Sequence, residues 1–514
     1  MSRRWVGSLS GESEPVLAAG RFVLVGVEWH GPREARIELR AKAPNGRWSP
    51  WAVASTLGHD SDGSREGERG GPLFGEPIWT GTADRVQLRS DRPVHGVRLA
   101  FVGLTAPAAS TAAAAAALPP ALPVLDAGPG QPPIIARRAW AHGHARPRHK
   151  PEYGSIKLGF VHHTASPNGY GAGEVPAMLM AIYAYHVHVR GWWDIGYNFA
   201  VDRFGRIWEA RAGGIDMPVI GAQAGGYNAE STGVAVLGDF MNVVPSKAAV
   251  GALERLLAWK LSLHGVPTSG HVTVVVARAS ASYTPFRPGA HVSLPRVAGH
   301  RQGDTTDCPG NAFFARLPSI RPRITRLAGT PARITLDTAP REATAGLAVS
   351  LSGQLTLLTD APLAQGPVEL QQLERDGART VLLATTDSQG SWNTAITLRH
   401  NAALRALHRP HPATVSDWRE ISIAPAITLE LVSTSPPRVS GTISPSKSHV
   451  TIDVYRAAKR LGKPVSHKRL AVANGSFQGK IEISQPGSFV LIARSHRDST
   501  NAPGASTQLA ISVP

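Results

Sequence analysis

Cysteine is almost missing from this chain. Cys308 is the single one in 514 residues. One cysteine excludes an intramolecular disulfide, which fits either a reducing compartment or an exported bacterial protein that avoids thiols. Long apolar runs are missing too. No stretch approaches the ~18 residues a transmembrane helix needs, so no integral membrane segment is expected. The first twenty residues, "MSRRWVGSLSGESEPVLAAG", carry basic groups but no apolar core of about 7–15 residues, so no signal peptide is visible. Helix-turn-helix, zinc-finger and RNA-recognition patterns are likewise missing, and the basic residues are scattered. Nucleic acid is therefore not the expected partner.

Basic charge is plentiful. The formal net charge is +17, which favours polyanionic surroundings such as nucleic acid, anionic lipid or an anionic cell wall. Hydrophobic residues make up 42%, enough for globular cores, and the length suggests three or four domains at about 150 residues each. Residues 1–104 read as an all-β, β-sandwich-like domain: "RFVLVGVEWHG", "ARIELRAK", "DRVQLRS" and "VHGVRLAFVG" alternate between turn-rich segments. Residues 105–131 are an Ala/Pro-rich linker.

Between 132 and 328 the pattern changes to α/β, which predicts a mixed β-sheet flanked by helices. "KLGFVHHT" reads as a buried strand. "EVPAMLMAIYAYHVHVRG" has Met178, Ile182, Tyr185 and Val189 near helical spacing. "GYNFAVDRFGRIWEAR" reads as a hairpin turning at Asp202 to Gly205, and "SKAAVGALERLLAWKLSLHG" as a helix with Ser246 as N-cap. Residues 329–424 and 425–514 return to β. Gly390-Ser391-Trp392 recurs as Gly475-Ser476-Phe477, 85 residues on. That period suits two tandem immunoglobulin-like β-sandwiches, with spacing or wall attachment as their role.

The chemistry concentrates in the α/β segment. His162 and His163 end a strand in "FVHHTAS", and His300 and Cys308 bracket "GHRQGDTTDCPG". Thiolate and imidazole suit zinc, and a catalytic zinc site needs three protein ligands and an open position. A Cys–His nucleophilic pair fits the same residues, and spacing alone does not separate the two.

Five motifs follow one another: "VHHTAS", "RGWWDIGYNFAVDRFGRIWEAR", "GAQAGGYN", "STGVAVLGDF" and "GHRQGDTTDCPG". In this order, with seven residues between His300 and Cys308, the segment resembles the zinc-dependent N-acetylmuramoyl-L-alanine amidases of the peptidoglycan recognition protein family. The flanking β-domains look like those of actinobacterial exported proteins. The resemblance implies Zn2+ held by His162, His300 and Cys308, with Tyr197 and Thr306 as catalytic hydrogen-bond donors. It implies substrate contacts at His163, Gly191, Trp192, Arg211, Gln223 and Asn228. Gly191-Trp192 and Arg211 match a preference for diaminopimelate-type stems. Gln223 stands where many relatives have His, and altered substrate contact is expected there. The implied function is hydrolysis of the amide between N-acetylmuramic acid and L-alanine of bacterial peptidoglycan, by a monomer at the cell envelope or outside the cell. The alternative is a peptidoglycan-binding protein without turnover.

Overall fold

The structure is a computed structural model, and it describes residues 1–44, 46–55, 72–103, 130–277, 283–337, 339–375, 377–458 and 460–514. The predicted linker lies outside the described residues except for its last two positions, Gly130 and Gln131. Two compact units result: Met1–Pro331 with Pro410–Ala413, and Ala332–Arg409 with Thr414–Pro514.

The first unit opens with β1 (Ser2–Glu12), β2 (Val16–His30), β3 (Ile37–Lys42), β4 (Ala52–Val53), β5 (Leu73–Phe74) and β6 (Ile78–Val102). All-β holds, but the strands form one six-stranded sheet in the order β4-β3-β6-β2-β5, with β1 also on β6, rather than two separately paired sheets. The reason lies in β6. It runs 25 residues and bends at Gly81 (φ 61°) and Gly96 (φ 64°), a backbone region that favours glycine. One bent strand therefore pairs with β1, β2 and β3. Phe22, Val25, Val27, Trp29, Ile37, Leu39, Val86, Leu88, Val97, Leu99 and Phe101 bury one face.

The α/β segment supplies β7 (Ile134–Ile135), α1 (Arg138–Ala141), β8 (Leu158–His163), α2 (Val175–His188), β9 (Phe199–Val201), β10 (Ile207–Glu209), β11 (Ser231–Val236), α3 (Lys247–Leu263), β12 (His271–Val275), β13 (His291–Pro295), β14 (Val297–Gly299), α4 (Asn311–Phe314) and α5 (Leu317–Ala328). The sheet order is β14-β8-β11-β9-β10-β7. It is mixed, as expected: β14, β8, β11 and β9 run parallel, and β9–β10 is the antiparallel hairpin. The hairpin turns where predicted. Gly205 N–H donates to the Asp202 carbonyl at 3.0 Å, and the Asp202 carboxylate accepts from Phe204 N–H, Arg206 and the Trp208 indole. Ser246 caps α3, its Oγ accepting from Ala249 N–H at 3.1 Å.

Strand parity sorts the two faces of this sheet. A Cβ on Gly159 would meet Leu257 of α3 at 2.7 Å, so residues 159, 161 and 163 face α3. Residues 158, 160 and 162 face the other way. The sequence of α2, "VPAMLMAIYAYHVH", is apolar on every side, the signature of a helix buried all round. One side packs on Ala200, Trp208 and Ala235 of the sheet. The other meets Leu24, Phe74, Trp79, Ala100 and Val102 of the N-terminal domain in the same core. A fully buried Leu, Val or Phe side chain among these contributes about 1.5–3 kcal/mol. The fit is close: a Cβ on Gly26 would lie 2.1 Å from the Tyr185 ring.

The second unit is strand-rich and holds two separate cores, one from Ala332 to Ile423 and one from Leu429 to Ile511. The sequence repeat has a structural counterpart. Trp392 pairs across from Gly353, and Phe477 from Gly441. In each case a Cβ on the glycine would run into a threonine carbonyl oxygen, Thr335 at 2.0 Å and Thr428 at 2.2 Å, with the aromatic ring next nearest.

Candidate functional site

Parallel strands bring the two histidines together. Gly299 of β14 lies opposite Val161 of β8, so His162 and His300 emerge side by side at the carboxyl ends, the usual location of sites in such sheets. Their ring centroids are 4.4 Å apart. The loop after His300 returns Cys308 beneath them, closed by Arg301 N–H on the Cys308 carbonyl at 3.0 Å. Gly310 must be glycine there. Its φ is 96°, and a Cβ would lie 2.4 Å from the Phe240 carbonyl carbon.

Ligand atoms of His162, His300 and Cys308 all lie within 4.8 Å of one another, and all three residues are buried. Cys308 Sγ is 3.7 Å from His162 Nδ1. Tetrahedral zinc with bonds of about 2.3 Å to sulfur and about 2.0–2.1 Å to nitrogen places two such donors roughly 3.5 Å apart. The surrounding groups fit as well. His162 Nε2–H donates to Gln223 Oε1, and His300 Nε2–H donates to Asp304 Oδ2 at 2.8 Å. Both bonds assign Nδ1 as the ligand atom and fix the ring orientation. The backbone N–H of His163 donates to Cys308 Sγ at 3.4 Å, which favours a thiolate. Burial pushes the Cys308 thiol well up, the His163 N–H opposes this, and Glu76 adds to it. A dication reverses that balance, because a coordinated thiol is deprotonated outright. The donor set, its spacing and its supporting hydrogen bonds all fit zinc. Replacing Asp304 with alanine is expected to lower zinc affinity about 10- to 100-fold, read by competition with a chromophoric chelator. Unchanged affinity would remove Asp304 from the support of His300.

Tyr197 stands beside this cluster, its ring centroid 5.6 Å from that of His162. Burial and then the Glu76 carboxylate push its hydroxyl well above the ordinary range, so it is a neutral donor. Thr306 is half-exposed on the Cys308 loop, and its Oγ1 accepts from Cys308 N–H at 3.2 Å.

The residues of the implied substrate contacts lie as follows. Gln223 is fully buried behind His162, its Nε2 donating to Ser231 Oγ at 2.8 Å. It holds the His162 ring in place. Asn228 is buried too, and its Oδ1 accepts from the backbone N–H of Gln223 and Ala224. His163 points to the opposite face of β8, where its Nδ1 accepts from Phe240 N–H at 3.3 Å. Trp192 is fully buried between His186 and the Arg190 guanidinium. Gly191 is exposed, with φ 74°. Arg211 is nearly buried. Its guanidinium donates to the Ile195 carbonyl at 3.2 Å, and it lines a small cleft with His149, Lys150 and Trp193.

Sequence reading missed Asp304 and Glu76. Asp304 had a signal, an acid four residues after a ligand histidine within the same loop. Glu76 had none, because it lies on the N-terminal domain.

Residues 152–311 match the N-acetylmuramoyl-L-alanine amidase family profile. Residues 10–121 match an N-terminal galactose-binding domain-like family. Human N-acetylmuramoyl-L-alanine amidase is 31% identical over 189 residues, covering 36% of this chain and 28% of that protein. Peptidoglycan-recognition protein 1 of Holotrichia diomphalia is 28% identical over 154 residues, covering 30% of this chain and 75% of that one. The solved structure of Drosophila PGRP-LB is 26% identical, covers 36% of this chain and 92% of its own, and superposes with a TM-score of 0.28. The chain thus spans little more than a quarter of the human relative's length, while it spans most of the short recognition protein. Residues 152–311 thus form a domain that matches the N-acetylmuramoyl-L-alanine amidase family and is similar to peptidoglycan-recognition proteins.

Proposed function

We propose that this protein is a zinc-dependent amidase that cuts the bond between N-acetylmuramic acid and L-alanine in bacterial peptidoglycan. The observation that carries this reading is the convergence of two histidines and the only cysteine in a domain of that family. A Cys–His nucleophilic pair would use one histidine. Here a second histidine approaches the same point, and each of the two is oriented by its own hydrogen-bond acceptor.

Bound zinc would supply Lewis-acid polarisation of the scissile carbonyl and, from water, a nucleophile near neutral pH. The chain's own groups do the rest. Gln223 and Asp304 hold the ligand rings in place. The neutral Tyr197 hydroxyl donates to negative charge that grows on the carbonyl oxygen, a contact that strengthens in the transition state. The Thr306 hydroxyl, on the rim of the same loop, serves as a second donor. Arg211 is the group for the extra carboxylate of a diaminopimelate stem, through the cleft it lines. Trp192 acts only indirectly, by packing beneath Arg190. The two C-terminal β units are read as immunoglobulin-like spacers, and the basic surface suits an anionic wall at the cell envelope. Among the described residues no helix is long and apolar enough to cross a membrane.

The test is zinc content together with release of stem peptide from purified wall. About one zinc per chain is expected, with release abolished by a chelator and restored by zinc. Zinc-loaded protein that binds wall but frees no new amino termini would leave the binding reading in its place. Activity in metal-free protein that is lost on thiol alkylation would instead establish Cys308 as a nucleophile.

A further inference from the structure

The N-terminal domain reaches the zinc site itself. Its segment 73–79 runs along α2, and Glu76 turns inward. The Tyr197 hydroxyl donates to Glu76 Oε2 at 3.3 Å, and Glu76 is only 2% exposed. Three contacts flank it on this wall of the site. The Tyr185 hydroxyl donates to the Gly75 carbonyl at 3.1 Å. Trp79 N–H donates to Ser166 Oγ at 3.4 Å. The Arg190 guanidinium stacks 5.1 Å from the Phe74 ring.

The opposite wall is held as well. Tyr283 is buried in the core of the N-terminal domain, with the Arg33 guanidinium 5.5 Å from its ring. Its carbonyl accepts from Thr305 N–H at 2.8 Å, so it is tied to the loop that carries Cys308. The N-terminal domain thus bridges the site from α2 to the cysteine loop. In this docked form His162, His300 and Cys308 are 0% exposed and Tyr197 is 2% exposed. A bond within a glycan–peptide polymer cannot reach a hydroxyl so enclosed. Peptidoglycan hydrolysis needs open access to these groups, and here Glu76 lies against the Tyr197 hydroxyl.

We propose that residues 73–79 form an inhibitory strap and that the docked form is latent. Glu76 is its polar tip. It holds the Tyr197 hydroxyl that hydrolysis would use, and cleavage requires the strap to leave. The proposal rests on the amidase reading for its biological meaning, but its structural content is independent of turnover.

Cys308 makes it testable, because as the only thiol it reports access to the site. In metal-free full-length protein, maleimide labelling of Cys308, followed against pH and compared at equal thiolate fraction, is measured for the wild type, for Glu76→Ala and for Gly26→Phe, which wedges β2 away from Tyr185. Labelling is expected to accelerate about 10- to 100-fold in both variants, the population shift that follows loss of one buried charge-assisted hydrogen bond. In zinc-loaded protein, both should release stem peptide faster than the wild type. If Gly26→Phe does not fold, Glu76→Ala carries the test alone. Equal labelling rates overturn the strap. So does faster labelling with slower release than an active wild type, which would place Glu76 among the groups that support hydrolysis. Faster labelling with no release from any form, wild type included, keeps the strap and refutes the amidase reading.

Discussion

Replacing Cys308 with alanine is expected to remove zinc binding and amidase activity together, with turnover falling on the order of 10³-fold or more, while the fold persists. The loop that carries Cys308 is held by backbone contacts that survive the change: Arg301 N–H on the residue-308 carbonyl, Gly310 N–H on Asp307 and Ala312 N–H on Phe240. What is lost is the softest of three donors, together with the thiolate that His163 N–H supports. The pH dependence gives a second signature. Burial pushes the thiol up, so zinc binding must expel its proton and apparent affinity rises with pH. The alanine variant has no such proton, so any residual zinc binding should show a shallower slope, by about one proton per ion. Circular dichroism and elemental analysis check the two halves. A variant that still binds zinc tightly but is inactive would return Cys308 to the role of nucleophile.

The candidate ligands were legible because their chemistry is rare. One cysteine in a whole chain, at fixed distance from a histidine and just before Pro-Gly, has few structural uses. The strands carrying His162 and His300 were legible from their apolar runs, and the turn at Asp202 from its Asp-x-x-Gly spacing. Parity and burial were harder. His163 follows His162 directly, so it points to the opposite face of β8, and that alternation argues against a substrate contact without any coordinates. Gln223 and Asn228 sit in an irregular segment where no period tells inside from outside. Their buried roles emerge only once β8 and β11 are placed. Trp192, expected to contact substrate, is enclosed by Arg190 and His186.

The larger omission was the N-terminal domain. A helix such as α2, apolar on every side, states that something must cover its outer face, and the sheet covers only one. That signal was present in "AMLMAIYAYHV", but it does not identify the partner. Nothing in the turn-rich sequence around Glu76 marks that residue, since its neighbours in space are more than a hundred positions away in the chain. The strap is therefore a tertiary fact, built from contacts between domains that local patterns do not encode.

Tyr197→Phe separates the two roles that meet at one hydroxyl. The variant keeps the ring against His162 and His186 and all three ligands, so zinc content should be unchanged. Turnover should fall about 10²- to 10³-fold, the usual effect of deleting one donor to a developing oxyanion. Yet the same deletion removes the bond to Glu76. Cys308 in the metal-free variant should therefore label faster than in the wild type, as is expected for Glu76→Ala. Access rises while turnover falls, and a simple structural defect in the tyrosine region does not predict that opposition together with full zinc occupancy. Unchanged turnover would strike Tyr197 from the chemistry. Unchanged labelling would assign the hold of the strap to the apolar packing of Phe74 and Trp79 rather than to its carboxylate. The double variant Glu76→Ala with Tyr197→Phe then decides between them. If the hydroxyl and the carboxylate act on access only through each other, the second change adds nothing to the labelling rate of the first.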